Sequence, residues 1–346
     1  MLNITDVILP GESRDDGLVY SLQCCRPNDG DILQTRNSLP VALVFVHGVS
    51  LHKEAWLPLI ERLFAIQAAA GPGALHISEA WTIDLINHGQ AGHMNERSLL
   101  RYPETFGGNQ SNRMLRTLLG SGLIQEGASI VAVGHSGGAV AMVLSTIGYP
   151  LWNLPYTSVI VIEPAMMPRS VYAGIFSEPT PWVTVMEATK SRKDIWPTRE
   201  AAREWFGKRL PWSRWHPRSL DLFVEKALRQ LPTATYPDVH TGVTLSCTRK
   251  QESLSYSRFE DCVDSLERLR ELSTVIPVHC ILGSVTSIVS HKMRQGIFDI
   301  CRGESLGSVT VLEGVGHFIV QEDPDRLANT IWGALNKQTF ASRSRL

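Results

Sequence analysis

The chain has 346 residues, of which 43% are hydrophobic and 19% are charged. This composition is typical of a globular protein with a large core, and it excludes disorder, collagen and coiled coil. The 33 basic and 34 acidic side chains give a formal net charge of −1, so we expect no overall attraction to nucleic acid or to anionic membranes. The length allows two or three domains, or equally one α/β domain with an insertion.

The N-terminal segment and the cysteines indicate the cellular compartment. The first 16 residues lack the basic and apolar regions of a signal peptide, and no apolar run approaches the roughly 20 residues of a membrane-spanning helix. We therefore expect a protein that neither spans a membrane nor is secreted. The six cysteines form no C-x-x-C pair, which favours free thiols over disulfides or structural zinc. We expect no metal and no other cofactor.

Short apolar segments alternate with amphipathic ones along most of the chain. The run 41–46 is continuously apolar and rich in β-branched residues, so it predicts a strand buried on both faces. Apolar residues from Trp56 to Phe64 recur at helical spacing, and this helix ends before Gly71. We predict further strands at 81–86, 129–133, 158–162, 277–282 and 308–312, and further helices at 137–147 and 324–335. Such alternation predicts a doubly wound, mostly parallel α/β sheet.

A long segment between residues 162 and 277 interrupts this alternation. It is rich in proline, helical in pattern, and holds five of the nine tryptophans, which are Trp182, Trp196, Trp205, Trp212 and Trp215. We interpret it as an inserted helical cap. The predicted domains are a first part of the core at 1–163, the cap at 164–273, and a second part of the core with a targeting tail at 274–346.

A candidate nucleophile lies between a predicted strand and a predicted helix. Gly134-His135-Ser136-Gly137-Gly138 fits G-x-S-x-G, the tight turn that exposes a nucleophilic serine. The alternative is a glycine-rich turn with an idle serine. Acyl transfer also needs N–H donors for the developing oxyanion. The backbone N–H groups of Val49 and Gly137 are the predicted donors, although the loop that contains Val49 could be a plain turn.

The serine needs a base, and the base needs an orienting acid. His317 follows the last predicted strand on a glycine-rich loop, where open α/β sheets place their sites. The turn after strand 277–282 holds no carboxylate, but Glu163 directly follows strand 158–162. A carboxylate at the end of a buried strand requires a partner, so we predict that Glu163 orients His317. A helix-capping or ion-paired glutamate is the alternative.

Several short motifs together resemble the α/β-hydrolase superfamily: His47-Gly48, the Ser136 turn, Asp84 with His88-Gly89, and Gly316-His317-Phe318 with Glu322-Asp323-Pro324. The resemblance covers nearly the whole chain outside the cap and implies the α/β-hydrolase fold. Residues 47–54 and the tail are similar to fungal peroxisomal α/β-hydrolases of secondary metabolism, a group with toxin-biosynthesis hydrolases and an acyl-CoA hydrolase. The missing carboxylate after strand 277–282 departs from the commonest superfamily pattern. Serine at the turn argues against epoxide hydrolases and haloalkane dehalogenases, which use aspartate there.

The last three residues resemble a peroxisomal address. Ser344-Arg345-Leu346 differs from S-K-L only by a change of lysine to arginine, which keeps the charge. We therefore predict peroxisomal localisation, with the import receptor as a partner. A chance C-terminus on a cytoplasmic protein is the alternative.

These features together predict a serine hydrolase that holds a hydrophobic ester or acyl-CoA thioester under the cap. Residues 187–218 carry an excess of five positive charges, which predicts either a site for CoA phosphates or an ordinary solvated face. The expected substrate-binding residues are Trp182, Trp196, Trp205, Phe206 and Met166. Two alternatives keep the same site. In the first, the site cleaves C–C bonds or transfers acyl groups, and in the second, the protein is receptor-like and binds a ligand without turnover. The acyl group, the leaving group and the oligomeric state stay open.

Overall fold

The computed structural model describes residues 2–12, 17–28, 39–71, 73–101, 108–175, 180–301 and 307–338. Ser344, Arg345 and Leu346, and with them the predicted peroxisomal address, lie outside the described residues. Within the described ranges, no helix is long and apolar enough to cross a membrane. The cysteines described there, which are Cys24, Cys25, Cys247, Cys262 and Cys280, are buried and form no disulfide with one another.

The described strands form two sheets. In chain order the strands are β1 Asn3–Pro10, β2 Val19–Arg26, β3 Pro40–Val46, β4 His76–Ile83, β5 Ser129–His135, β6 Ser158–Ile162, β7 Ile195–Trp196, β8 Leu228–Gln230, β9 Val243–Leu245, β10 Val278–Gly283 and β11 Ser308–Leu312. The main sheet has the order β1-β2-β4-β3-β5-β6-β10-β11, and it is parallel from β4 to β11. The antiparallel pairings of this sheet are those of β1 with β2 and of β2 with β4.

Helices cover the main sheet and build most of the connection between β6 and β10. They are α1 Leu57–Ala69, α2 Gly89–Met94, α3 Glu96–Arg101, α4 Gly108–Gly120, α5 Gly137–Leu144, α6 Arg169–Ala173, α7 Pro181–Ser191, α8 Arg199–Gly207, α9 Pro217–Lys226, α10 Arg249–Tyr256, α11 Phe259–Ser273, α12 His291–Cys301, α13 Ile319–Glu322 and α14 Pro324–Leu335. Two 3₁₀ turns, Lys53–Trp56 and Trp212–Arg214, complete the helical elements described.

The core lies on both faces of the main sheet. Every residue of β6 is buried, and its side chains alternate between two apolar clusters: Val159 and Val161 in one, Ile160 and Ile162 in the other. Helices α5 and α11 pack on the first face, and α1 and α14 on the second. This two-faced burial explains why β6 is a continuous apolar run, and it confirms the predicted doubly wound, mostly parallel sheet.

Strand boundaries were predicted well where the pattern was purely apolar. The structure has β6, β11 and α14 at the predicted residues, but β4 begins at His76 rather than at residue 81. The early part of β4 contains Glu79, which looks like a surface residue. In the fold Glu79 is buried and its carboxylate lies 2.7 Å from the Arg26 guanidinium. A buried carboxylate, paired with an arginine at the surface, therefore concealed the beginning of this strand.

The connection between β6 and β10 has its own apolar cluster, which includes Trp196, Phe206, Trp212 and Phe223. We call this connection the cap. It is mostly helical as predicted, but it also contains a three-stranded antiparallel sheet in the order β7-β9-β8. These strands are two or three residues long. Strands this short are too brief to display an alternating pattern, so the sequence did not indicate them. The domain limits at 163 and 273 stay a prediction.

Candidate active site

Ser136 lies on a sharp turn between β5 and α5. Its backbone φ of 53° is in the left-handed region, and its N–H donates to the Ile162 carbonyl at 2.9 Å. Glycines make this turn possible. A β-carbon on Gly134 would collide with the Ala139 backbone, and one on Gly138 would collide with the carbonyl oxygens of Val46 and His47. The two glycines of the motif are therefore required by close backbone approach.

The structure brings the three predicted residues Ser136, His317 and Glu163 into one hydrogen-bonded row. His317 Nε2 lies 3.0 Å from Ser136 Oγ, and His317 Nδ1 lies 3.2 Å from Glu163 Oε2. All three side chains are buried. They come from the carboxyl ends of β5, β6 and β11, which open at the same edge of the parallel sheet.

Glu163 is held by more contacts than the sequence indicated. Its φ of 44° is left-handed, and its other carboxylate oxygen, Oε1, accepts from the Gly283 N–H at 2.8 Å and from Arg294 Nη2 at 2.9 Å. Arg294 also donates to the carbonyls of Gly283 and Val289. These bonds offset the cost of burying the carboxylate and fix its orientation.

Arg294 is a site residue that sequence reasoning missed. It lies on α12 in the same buried stripe as Met293 and Ile297, where its side chain is almost fully enclosed. The available signal was a charged residue at helical spacing from apolar positions. That signal did not reveal its partner, because Glu163 is 131 residues away in the chain.

Two further histidines support the loops of the site. His135 donates through Nε2 to the His317 carbonyl at 2.8 Å, while His47 Nε2 accepts from the Leu85 N–H at 3.1 Å. Burial lowers the pKa of each of these two rings to about 3, so both are neutral at pH 7. Their contacts are structural, because each ring holds a backbone group of a neighbouring loop.

The predicted oxyanion donors lie beside the serine. Val49 and Gly137 line the same cavity as Ser136. A β-carbon on Gly137 would lie 3.9 Å from the Val49 nitrogen, so the two loops approach closely. Gly137 is the first residue of α5, where a backbone N–H has no partner within the helix.

Two cavities adjoin the site and share Tyr256 and Ile288 as lining residues. The serine cavity has a volume of about 80 Å³ and is lined by Ser136, Gly137, Val140, Ala141, Ala165, Trp182 and neighbouring residues. The tryptophan cavity has a volume of about 520 Å³ and is lined by Trp205, Trp212, Trp215, Phe318, Arg192, Arg209 and neighbouring residues.

The structure separates the five residues expected to bind substrate. Trp182 lines the serine cavity, and Trp205 lines the tryptophan cavity. The other three, Trp196, Phe206 and Met166, line neither cavity because they are fully buried in apolar clusters. Aromatic composition alone could not distinguish packing residues from wall residues, and the walls also include Trp212 and Trp215.

The basic segment 187–218 is largely neutralised in the fold. Carboxylates from outside the segment pair with four of its arginines: Glu252 with Arg192, Asp221 with Arg203, Glu322 with Arg214 and Glu61 with Arg218. Lys190 and Lys208 pair with nearby glutamates. Arg209 instead contacts Trp205, with its guanidinium 4.3 Å from the ring centroid. The charge count within the segment therefore overstated its surface charge.

The chain belongs to the α/β-hydrolase family, because residues 43–330 match the Alpha/beta hydrolase family. Among solved structures it is similar to peroxisomal alpha-beta-hydrolase Lpx1 of Saccharomyces cerevisiae, with a TM-score of 0.75 and 16% identity. That alignment covers 97% of this chain and 89% of Lpx1, and at this identity it shows the fold alone.

Two fungal relatives carry the name type I acyl-CoA thioesterase. The chain is 26% identical over 233 residues to mpaH' of Penicillium brevicompactum, and 29% identical over 205 residues to mpaH of Penicillium roqueforti strain FM164. The alignments cover 66% and 58% of this chain, but 50% and 42% of the relatives. The chain thus spans about half the length of these curated relatives. The predicted resemblance to the superfamily and its fungal acyl-CoA hydrolases is confirmed.

Proposed function

We propose that this protein is a serine hydrolase that cleaves hydrophobic esters or acyl-CoA thioesters. The observation that carries the proposal is the hydrogen-bonded row from Ser136 Oγ through His317 to Glu163, next to the cavity that Ser136 lines. A nucleophile, a base within hydrogen-bond reach and an acid that orients the base are the parts that acyl transfer requires.

In the acylation step, His317 Nε2 takes the proton of Ser136 Oγ while Oγ forms a bond to the substrate carbonyl carbon. The carbonyl oxygen becomes an oxyanion and accepts hydrogen bonds from the Val49 and Gly137 N–H groups. Glu163 stabilises the imidazolium and holds the tautomer in which Nε2 is free to accept. The oxyanion then collapses, the bond to the leaving group breaks, and His317 donates its proton to the departing oxygen or sulfur.

In the deacylation step, water replaces the leaving group. His317 takes a proton from the water, whose oxygen attacks the acyl carbon bound to Ser136. Collapse of the second oxyanion releases the carboxylic acid, and His317 returns the proton to Ser136 Oγ. The same three side chains therefore serve both steps, and one water molecule is consumed in each turnover.

The thioester substrate and the peroxisomal location are the finer parts of the proposal. The names of the two Penicillium relatives support an acyl-CoA substrate. The final Ser344-Arg345-Leu346 supports a peroxisomal protein, and the structurally similar Lpx1 is named a peroxisomal hydrolase. A partner in that setting is the peroxisomal import receptor.

The activity is tested by release of free CoA from short, medium, long and aromatic acyl-CoAs, measured beside the matching oxygen esters. We expect Ser136→Ala to lower kcat at least about 10⁴-fold with an unchanged melting temperature, because the nucleophile is lost and the turn is kept. Ser191→Ala, at an exposed serine on α7, is the matched control. Full activity in Ser136→Ala would contradict the proposal, while turnover of oxygen esters alone would restrict it to an esterase.

The location has a separate test. Deletion of Ser344, Arg345 and Leu346 from a fluorescent fusion should change a punctate pattern into a diffuse cytosolic one, because the import receptor reads the C-terminal tripeptide. Arg345→Lys should keep the punctate pattern. Puncta that persist without the tripeptide would show that it is not the address.

A further inference from the structure

The two cavities meet the site through different residues. Gly137 and Val140, on the helix that begins at the serine, line the serine cavity. Phe318, which follows His317 in the chain, lines the tryptophan cavity, and its ring meets the His317 ring edge-on with centroids 5.3 Å apart. The serine cavity is therefore lined by the nucleophile and by both predicted oxyanion donors, whereas the tryptophan cavity meets the site through Phe318, beside His317, and through Ser50, which follows Val49.

The histidine must protonate the leaving atom, so the leaving group has to extend toward the histidine side. We propose that the leaving group binds in the tryptophan cavity and that the acyl group binds in the serine cavity. This assignment rests on the proposed function and names the substrate class that this site takes. In this assignment the two tryptophans have different roles: Trp182, in the serine cavity, contacts the acyl group, and Trp205, in the tryptophan cavity, contacts the leaving group.

The volumes of the two cavities set the size of each part. The serine cavity, at about 80 Å³, offers room for a small acyl group, whereas the tryptophan cavity, at about 520 Å³, offers room for a leaving group several times larger. The preferred substrate thus combines a small acyl group with an extended leaving group.

The walls of the tryptophan cavity indicate the chemistry of that leaving group. Trp205, Trp212 and Trp215 present aromatic surface, which favours an apolar or planar body. Two arginines line the cavity. Arg192 is neutralised by Glu252, whose carboxylate it meets at 3.0 and 2.5 Å, but Arg209 contacts no carboxylate of the described residues. Arg209 is thus available to an anionic end of the leaving group, which a phosphate or a carboxylate would supply.

The first test uses two mirror series of esters with leaving alcohols of matched pKa. In one series an acetyl group is joined to leaving groups that grow from methyl to naphthylalkyl, and then to naphthylalkyl groups that end in a carboxylate or a phosphate. In the other series a methyl leaving group is joined to acyl groups of increasing length. We expect kcat/KM to rise at least about tenfold along the first series and to fall along the second. The two anionic ends distinguish a carboxylate site from a phosphate site.

Variants then separate the two steps of the reaction. Trp205→Ala should lower kcat/KM for the naphthylalkyl esters about tenfold, and the loss should be confined to acylation, because the leaving group has departed before deacylation. Arg209→Gln should remove the preference for an anionic over a neutral end, and Arg209→Lys should keep part of it. Trp152→Ala, at a side chain that is 85% exposed, and Arg203→Gln are the matched controls.

Two results would overturn the assignment. One is a preference for large acyl groups with small leaving groups, and the other is a Trp205→Ala variant whose deacylation of long acyl groups slows as much as its acylation. Both results leave the serine mechanism intact. Failure of the proposed function would give a different result. Ser136 would not react with a fluorophosphonate probe, and the protein would hydrolyse no ester of either series.

Discussion

Two carboxylates of the main sheet have nearly the same surroundings. Glu163 follows β6 and Asp84 follows β4, and both side chains are 0% exposed. Each lies next to a cation and a histidine. Glu163 is 2.9 Å from Arg294 and 3.2 Å from His317, while Asp84 is 3.3 Å from Lys53 and 3.7 Å from His47.

The two sites differ in what the histidine contacts with its second nitrogen. His317 Nε2 is within hydrogen-bond distance of Ser136 Oγ, whereas both nitrogens of His47 form hydrogen bonds with backbone groups, those of Gly48 and Leu85. Asp84 likewise accepts from backbone, with the N–H groups of Lys53 and Gln90 at 2.8 and 3.0 Å. Burial raises the pKa of Asp84, and Lys53 offsets part of that rise. A strand-end carboxylate beside a histidine is thus not enough to indicate catalysis, and contact between the histidine and a nucleophile distinguishes the Glu163 site from the Asp84 site.

The largest expected effect is on catalysis. Glu163→Gln should lower kcat on the order of 10³- to 10⁴-fold, because the amide can no longer stabilise the His317 imidazolium or hold its tautomer. Pre-steady-state ester hydrolysis measures the loss, and Glu187→Gln on the exposed face of α7 is the control. Wild-type rates in Glu163→Gln would place the orienting acid elsewhere.

A smaller effect, on stability, is expected at the matching carboxylate. Asp84→Asn should lower the free energy of unfolding by about 3 kcal/mol, since the buried Lys53 ammonium loses one of its two carboxylate partners. Urea denaturation measures this change. The exposed Asp221→Asn should change stability by less than about 1 kcal/mol. If kcat of Asp84→Asn fell as far as that of Glu163→Gln, the contrast between the two carboxylates would be wrong.

The smallest effect concerns a third carboxylate, where the core meets the cap. Glu96 on α3 accepts from both Arg229 guanidinium nitrogens, at 2.6 and 2.9 Å, and from Thr235. Burial alone would raise the pKa of Glu96, but these bonds outweigh it and lower the pKa to about 2. Glu96→Gln should therefore lower the free energy of unfolding by about 2 kcal/mol at pH 7.

The pH dependence of that loss tests its origin. A carboxylate whose pKa is lowered on folding contributes stability that is complete above its unfolded pKa, near 4.5, and is lost as the pH falls toward 2. The difference between wild type and Glu96→Gln should thus shrink from pH 5 to pH 2. The exposed Glu204→Gln provides the baseline, and a difference that stays constant with pH would exclude this ion pair as its cause.

Much of the fold and part of the site followed from local sequence. The purely apolar run of β6 predicted a strand buried on both faces, and Glu163 stood out because a charge directly after such a run needs a partner. Ser136 stood out because its G-x-S-x-G motif lies between a predicted strand and a predicted helix. These features were readable because the residues that create each constraint are neighbours in the chain.

The tertiary structure alone decided which distant residues meet. Arg294 reaches Glu163 across 131 positions, and Arg192 is neutralised by Glu252 across 60. Tertiary packing likewise placed Trp196 in the cap core and Trp205 on a cavity wall, although both lie in the same aromatic-rich segment. Periodicity and composition describe what a residue has beside it along the chain. Ion pairs and cavity walls depend instead on which distant residues the fold brings into contact. Burial makes these contacts matter more for stability, because an unpaired charge costs far more free energy in the interior than at the surface.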